Sequence, residues 1–122
     1  MAERRKRGRL SRSGDFDRVY RDGHSHSNRF LVLYAFPRPD APDQGTRLGV
    51  SVSRKVGGAT ERNAVKRALR EAFWTLEPTP PTDHDFVLVA RPDVAGLVER
   101  EGTAGVTQAL RELAADSGLE AA

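Results

Sequence analysis

The chain has 122 residues, with 20 Lys+Arg against 17 Asp+Glu and no cysteine. That length suits one domain with its own core. The lack of cysteine excludes a disulfide framework, thiolate metal ligation and thiol chemistry, and fits a reducing compartment. No apolar run approaches the ~20 residues that cross a bilayer, and the basic start lacks the apolar stretch of a secretory signal. A cytoplasmic protein without a membrane partner is expected. Charge is unevenly spread: residues 1–75 hold 17 basic and 8 acidic side chains, whereas residues 76–122 hold 3 and 9. A basic functional half and an acidic, solvating half are the natural reading.

In chain order, residues 1–12 hold six basic side chains and one acid, which predicts a basic, disordered arm preceding a single domain over 13–122. Ser13 is the expected N-cap of a short helix, with Asp15 in its first turn and Gly23 as its stop. Phe16, Val19 and Tyr20 form one stripe on it. Such a stripe is ordinarily core, but two of its three residues are aromatic, which leaves a second role open. A strand is expected over Arg29–Phe36, closed by Pro37 and a Pro/Asp/Gly loop.

The segment Arg47–Ser53 alternates, with Leu48, Val50 and Val52 on one face and Arg47, Gly49, Ser51 and Ser53 on the other. That second face is either plain solvent-facing sheet or a floor that lets a bulky ligand reach the backbone. Gly57-Gly58 marks a turn, Thr60 is the expected cap of a helix to about Leu76, and Pro78, Pro80 and Pro81 end it. Phe86–Arg91 is a third strand, and Thr103–Ser117 a last helix stopped by Gly118. The expected fold class is α/β (α+β), a two-layer sandwich with one small sheet.

The stretch from Lys55 to Trp74 is the most informative. Val65, Ala68, Leu69, Ala72, Phe73 and Leu76 make a regular core stripe. At ~100° per residue, Arg62, Asn63, Lys66, Arg67 and Arg70 cover a neighbouring arc, interrupted only by Glu71. A helix needing only solubility would interleave its charges as i,i+4 ion pairs. Concentrated positive charge costs stability unless an anion offsets it, and a phosphate backbone is the matching partner.

These residues resemble a known signature. Arg62-Asn63-Ala64-Val65-Lys66-Arg67, followed by Arg70-Glu71-Ala72-Phe73, is similar to the motif of the bacterial ribonuclease P protein component. The run from Leu48 to Gly57, together with Arg9-Leu10, Asp15-Phe16, Val19-Tyr20, Gly23, Asn28-Arg29 and Leu33-Tyr34, resembles the same family at consistent spacing. Ala64 departs from it, standing where the family has a second arginine, and Tyr20 stands where it often has phenylalanine. The resemblance implies a mixed sheet with a left-handed strand–helix–strand crossover. It also implies an accessory subunit, one per RNA, that assists ribonuclease P RNA in removing the 5′ leader of precursor tRNA. Catalysis would belong to the RNA, with Mg²⁺ used by the holoenzyme and mainly RNA-bound.

The same resemblance assigns surfaces. Phe16, Tyr20, Tyr34, Gly49, Ser51 and Ser53 would form the cleft for the single-stranded leader. Arg54, Lys55, Arg62, Asn63, Lys66, Arg67 and Arg70 would meet the catalytic RNA. No residue is assigned a catalytic or metal role. Three rivals remain on the residues alone, DNA binding by the basic helix being the weakest. A protein nuclease would have to use His24 with His26, or Asp83-His84-Asp85, which read better as strand-face and solvated turn residues. An RNA-binding protein without enzymatic partnership fits the charge equally well.

Overall fold

Strand β5 (His84–Ala90) is the centre of the structure because its apolar residues serve both faces of the sheet. In this computed structural model, residues 7–38, 45–77, 79–81 and 83–117 are described, except for the side chain of Ser117. The elements are β1 (Arg7–Arg9), α1 (Ser13–Asp22), β2 (His24–Ser27), β3 (Leu31–Pro37), β4 (Thr46–Ser51), α2 (Ala59–Trp74), β5 and α3 (Val94–Ser117). Their strands form one mixed sheet in the order β1-β4-β5-β3-β2. Here β1 and β5 run parallel to β4, while β3 is antiparallel to β5 and β2.

The period-2 pattern divides the side chains. Leu31, Leu33 and Ala35 of β3, Leu48 and Val50 of β4, and Phe86, Leu88 and Ala90 of β5 pack with α2 and α3 in the main core. Val87 and Val89 point the other way, toward Leu10, Val19, Phe16, Tyr34 and Phe36. The helices α2 and α3 therefore back one face of the sheet, and α1 lies across part of the other. The whole expected stripe of α2 is buried, with Leu69 and Ala72 at 0% exposure; full burial of a side chain such as Leu69 or Phe73 contributes about 1.5–3 kcal/mol.

Several boundaries move. Arg7–Arg9 is a strand paired with Thr46–Leu48, and Leu10 is buried beside it. Residues 7–12 of the expected disordered arm thus belong to the fold, and residues 1–6 of it lie outside the described residues. Composition predicted disorder there because it cannot register the free edge that β4 offers. The loop 39–44, Pro78 and the expected stop at Gly118 also lie outside the described residues.

Neither helix start is capped by the expected side chain. The N-cap of α1 is Arg12 and that of α2 is Gly58, both with extended backbone and no side-chain cap bond. Gly23 does end α1, in extended conformation, its N–H donating to the Val19 carbonyl. A Cβ there would lie 2.5 Å from that oxygen and 3.0 Å from the Ala35 carbonyl oxygen, so the position needs glycine for close approach.

Two further elements extend the sequence reading: His24 and His26, expected on a strand face, lie on a paired edge strand, and the last helix is longer than expected. His24–Ser27, exposed throughout, pairs with β3 through its backbone alone. The last helix starts at Val94, nine residues before Thr103, and breaks at Gly102 (φ 64°, ψ −155°), a conformation that essentially only glycine adopts. Val94 and Leu97 of the first half are buried with Val106, Leu110 and Leu113 of the second. Asn28 ties this helix to the sheet. Its Oδ1 accepts the N–H groups of Phe30 and Leu31 at 2.9 and 3.0 Å, and its Nδ2 donates to the Ala109 carbonyl at 3.1 Å.

Candidate nucleic-acid interface

Sheet register sets the geometry of the first surface. Gly49, Val87 and Tyr34 lie side by side across β4, β5 and β3. The aromatic stripe of α1 crosses this row. Phe16 and Tyr20 have ring centroids 6.2 Å apart, and Tyr20 meets Tyr34 edge-on at 5.0 Å. Of the α1 stripe only Val19 is fully buried, whereas Tyr20 remains 39% exposed. Phe16 and Tyr34 are half-buried against the Leu10–Val19–Val87 cluster, and Tyr20 carries the row of rings out to solvent.

The small-residue face of β4 is partly taken by the protein itself. A Cβ on Gly49 would lie 2.6 Å from Cζ of Phe16, so the space above Gly49 seats Phe16 and not a ligand. The part left accessible is the next register row, Ser51, Val89 and Val32, all half-buried. Val32 and Val89 belong to this floor and were missed, because cross-strand register is invisible until the strand order is known. Ser53 is exposed beyond the end of β4, its hydroxyl accepting the Lys55 N–H at 3.3 Å.

One row in the opposite direction brings Arg47, Asp85 and Phe36 together. Asp85 was expected among solvated turn residues; it is instead fully buried. Arg47 grips it through Nε and Nη2 at 2.8 and 2.7 Å, and Arg38 Nε lies 2.6 Å from Oδ1. The bond to Asp85 holds the Arg47 guanidinium above its ordinary range, against the opposing effect of burial, with the charges of Asp85 and Asp15 adding to it. This triad closes one end of the row of rings. The sequence concealed it, since its members come from three separate segments.

The second surface is α2 with the turn before it. Arg54 and Lys55 are exposed in that turn, which is closed by a 3.1 Å bond from the Val56 N–H to the Ser53 carbonyl. Arg62 is half-buried, and its Nε has no hydrogen-bond partner among the described residues. Asn63, Lys66, Arg67 and Arg70 line one open groove of about 490 Å³ with Trp74 and with Arg7 from β1. Glu71 is its one carboxylate. Among the described residues no ion pair involves Lys66, Arg67 or Arg70. Burial, and next the charge of Arg9, hold the Arg70 guanidinium below its ordinary range.

The predicted site residues thus fall into two groups on opposite faces of the sheet. His24 and His26 join neither: both are exposed on the edge strand β2. Among the described residues no helix is long and apolar enough to cross a membrane.

Comparison with known proteins gives one consistent result. A family model described as Ribonuclease P matches residues 5–114. The ribonuclease P protein component of Lactiplantibacillus plantarum is 37% identical over 107 residues, spanning 88% of this chain and 92% of that relative. The solved structure of the Staphylococcus aureus RNase P protein superposes with a TM-score of 0.77 at 31% identity, covering 91% of this chain and 95% of the other. The Thermotoga maritima RNase P protein superposes with a TM-score of 0.75 at 30% identity, covering 93% and 96%.

Proposed function

The chain belongs to the ribonuclease P protein family, and from that premise we propose that it assists ribonuclease P RNA in removing the 5′ leader of precursor tRNA, holding the leader and screening phosphate charge. One observation supports this above the others. A partly exposed row of aromatic rings borders a shallow floor on one face of the sheet, and cations without ion-pair partners among the described residues crowd a helix on the other. Two such surfaces suit two RNA elements, a flexible single strand and a folded phosphate-rich body.

In this reading Phe16, Tyr20 and Tyr34 offer ring faces and edges to unpaired leader bases, while Ser51, Val89 and Val32 let the strand lie close to the sheet. Base stacking on a protein ring contributes about 1–3 kcal/mol per base and tolerates any sequence. Precursors with many different leaders could then share the cleft. Arg54, Lys55, Arg62, Asn63, Lys66, Arg67 and Arg70 face ribonuclease P RNA, one protein to each RNA, in the cytoplasm. Their charge offsets the repulsion between catalytic RNA and substrate.

Bond cleavage belongs to the RNA in this scheme. In the same proposal the holoenzyme's Mg²⁺ is mainly RNA-bound, since phosphates and waters with few or no protein carboxylates meet its octahedral demand. The test is reconstitution: added to ribonuclease P RNA and precursor tRNA at low Mg²⁺, the protein should restore leader removal. No gain in cleavage with correctly folded RNA overturns the proposal.

Two substitutions divide the labour. Tyr20→Ala removes an exposed ring and should weaken precursor binding by roughly 5- to 150-fold, leaving mature tRNA unaffected; equal losses for both would place Tyr20 outside the leader path. Arg62→Ala should lower the slope of log K against log salt for ribonuclease P RNA by about 0.7–0.9, the value of one phosphate contact. An unchanged slope would mean that Arg62 touches no phosphate.

A further inference from the structure

Strand β1 adds to α2 a set of groups that the basic helix does not itself own. Gly8 lies against the Arg47 side chain and Leu10 packs with Val19 and Val87, so both face the α1 side of the sheet. Arg7 and Arg9 alternate to the α2 side. The guanidinium of Arg7 lies over one face of the Trp74 ring, its carbon 5.3 Å from the centroid, and Arg9 is near enough to Arg70 for its charge to act on that guanidinium. The groove lined by Arg7, Lys66, Arg67, Arg70 and Trp74, with Glu71 its one carboxylate, is about 490 Å³ and falls within the ~300–1,000 Å³ usual for small-ligand sites.

A solvated groove has no use for this combination. Like charges at Arg9 and Arg70 repel, and neither has an ion-pair partner among the described residues. An anion relieves that repulsion, and an aromatic ring at the same place suits a base. We propose that the β1–α2 groove takes one unpaired nucleotide of ribonuclease P RNA, its base against Trp74 beside the Arg7 guanidinium and its phosphate between Lys66 and Arg70. This rests on the reading of α2 as the helix that faces that RNA. It extends the RNA-binding surface to β1, so that the N-terminal strand is held in the sheet from both sides. The leader is the less suitable occupant, because the aromatic cleft lies on the opposite face. A duplex offers no free base face to the ring.

Trp74 is the chain's only tryptophan, so its emission reports this groove alone. The whole protein is titrated with end-labelled ribonuclease P RNA, following RNA anisotropy and tryptophan emission together. The expected result is saturable quenching and protection from acrylamide, with the same midpoint as the anisotropy change. Precursor tRNA alone, at equal concentration, should leave the emission unchanged. Arg7→Ala and Arg9→Ala should each flatten the salt dependence of RNA binding. Trp74→Leu should weaken it by roughly 5- to 150-fold, and Trp74→Phe should restore most of the loss; melting curves verify that each variant folds.

Binding seen by anisotropy with Trp74 emission and acrylamide access unchanged overturns the groove assignment and leaves the proposed function standing. Quenching by precursor alone overturns the choice of ribonuclease P RNA as occupant. No binding by either readout overturns both readings. If Trp74→Leu fails to fold, the emission titration on the unsubstituted protein and on Arg7→Ala still decides.

Discussion

Asp85→Asn should lower unfolding stability by about 3–5 kcal/mol, the usual cost of breaking a buried ion pair from one side. The side chain is fully buried between two guanidiniums, Arg47 gripping both oxygens and Arg38 within 2.6 Å of one. Asparagine keeps the shape and removes the charge, which leaves two cations facing each other around a neutral amide. Arg38 is itself buried and donates from Nη2 to the Gly45 carbonyl at 2.6 Å, so it cannot swing out to water without breaking that bond. For a domain of this size the loss corresponds to a fall in melting temperature on the order of 10–20 °C. Thermal unfolding followed by circular dichroism measures it. A shift below about 3 °C, under 1 kcal/mol by the same scaling, would show that the triad does not hold β4 to β5.

Gly49→Val is the second large effect, and it acts on function and stability together. A Cβ at this position would sit 2.6 and 2.8 Å from two ring carbons of Phe16 and 3.1 Å from Cβ of Leu10. Phe16 must then leave its seat. It lies one turn from Val19, which anchors α1 in the core, so the helix is displaced with it. Overpacking of this kind costs about 1–3 kcal/mol. The displaced ring also breaks the line from Phe16 through Tyr20 to Tyr34, and precursor binding should fall at least as far as in Tyr20→Ala. Binding of ribonuclease P RNA through α2, on the other face, should change little. A variant that bound precursor normally would show that the row of rings is not the leader site.

Local periodicity carried much of the fold. The stripe from Val65 to Leu76 buries every residue expected of it, and the alternation from Arg47 to Ser53 buries Leu48 and Val52 and half-buries Val50, because each pattern is written locally. Failures came where the deciding partner is remote. Arg7–Arg9 became a strand only because β4 offered an edge, and Asp85 became buried only because Arg38 and Arg47 reach it. The first half of α3 was missed because Gly96, Gly102 and Gly105 obscure its period, although Gly102 alone breaks the helix. The candidate site divides the same way. Aromatic residues at i and i+4 and the basic arc of α2 were legible from spacing, but the floor residues Val32 and Val89 and the ring of Trp74 depend on register and on the docking of β1.

The central place of β5 bears on synthesis at the ribosome. Strands β3 and β4 are made first yet do not touch each other in the finished sheet, since each pairs with opposite sides of a segment translated more than thirty residues after β4 ends. Until Ala90 has emerged, the nascent chain can form α1, α2 and the β2–β3 hairpin, but neither of the two proposed RNA-binding surfaces is complete. Parallel pairing across such a gap is slow compared with local structure. On the proposed reading, assembly with RNA during translation waits for the last quarter of the polypeptide, and until then the basic N-terminal half is a polycation without its finished sheet.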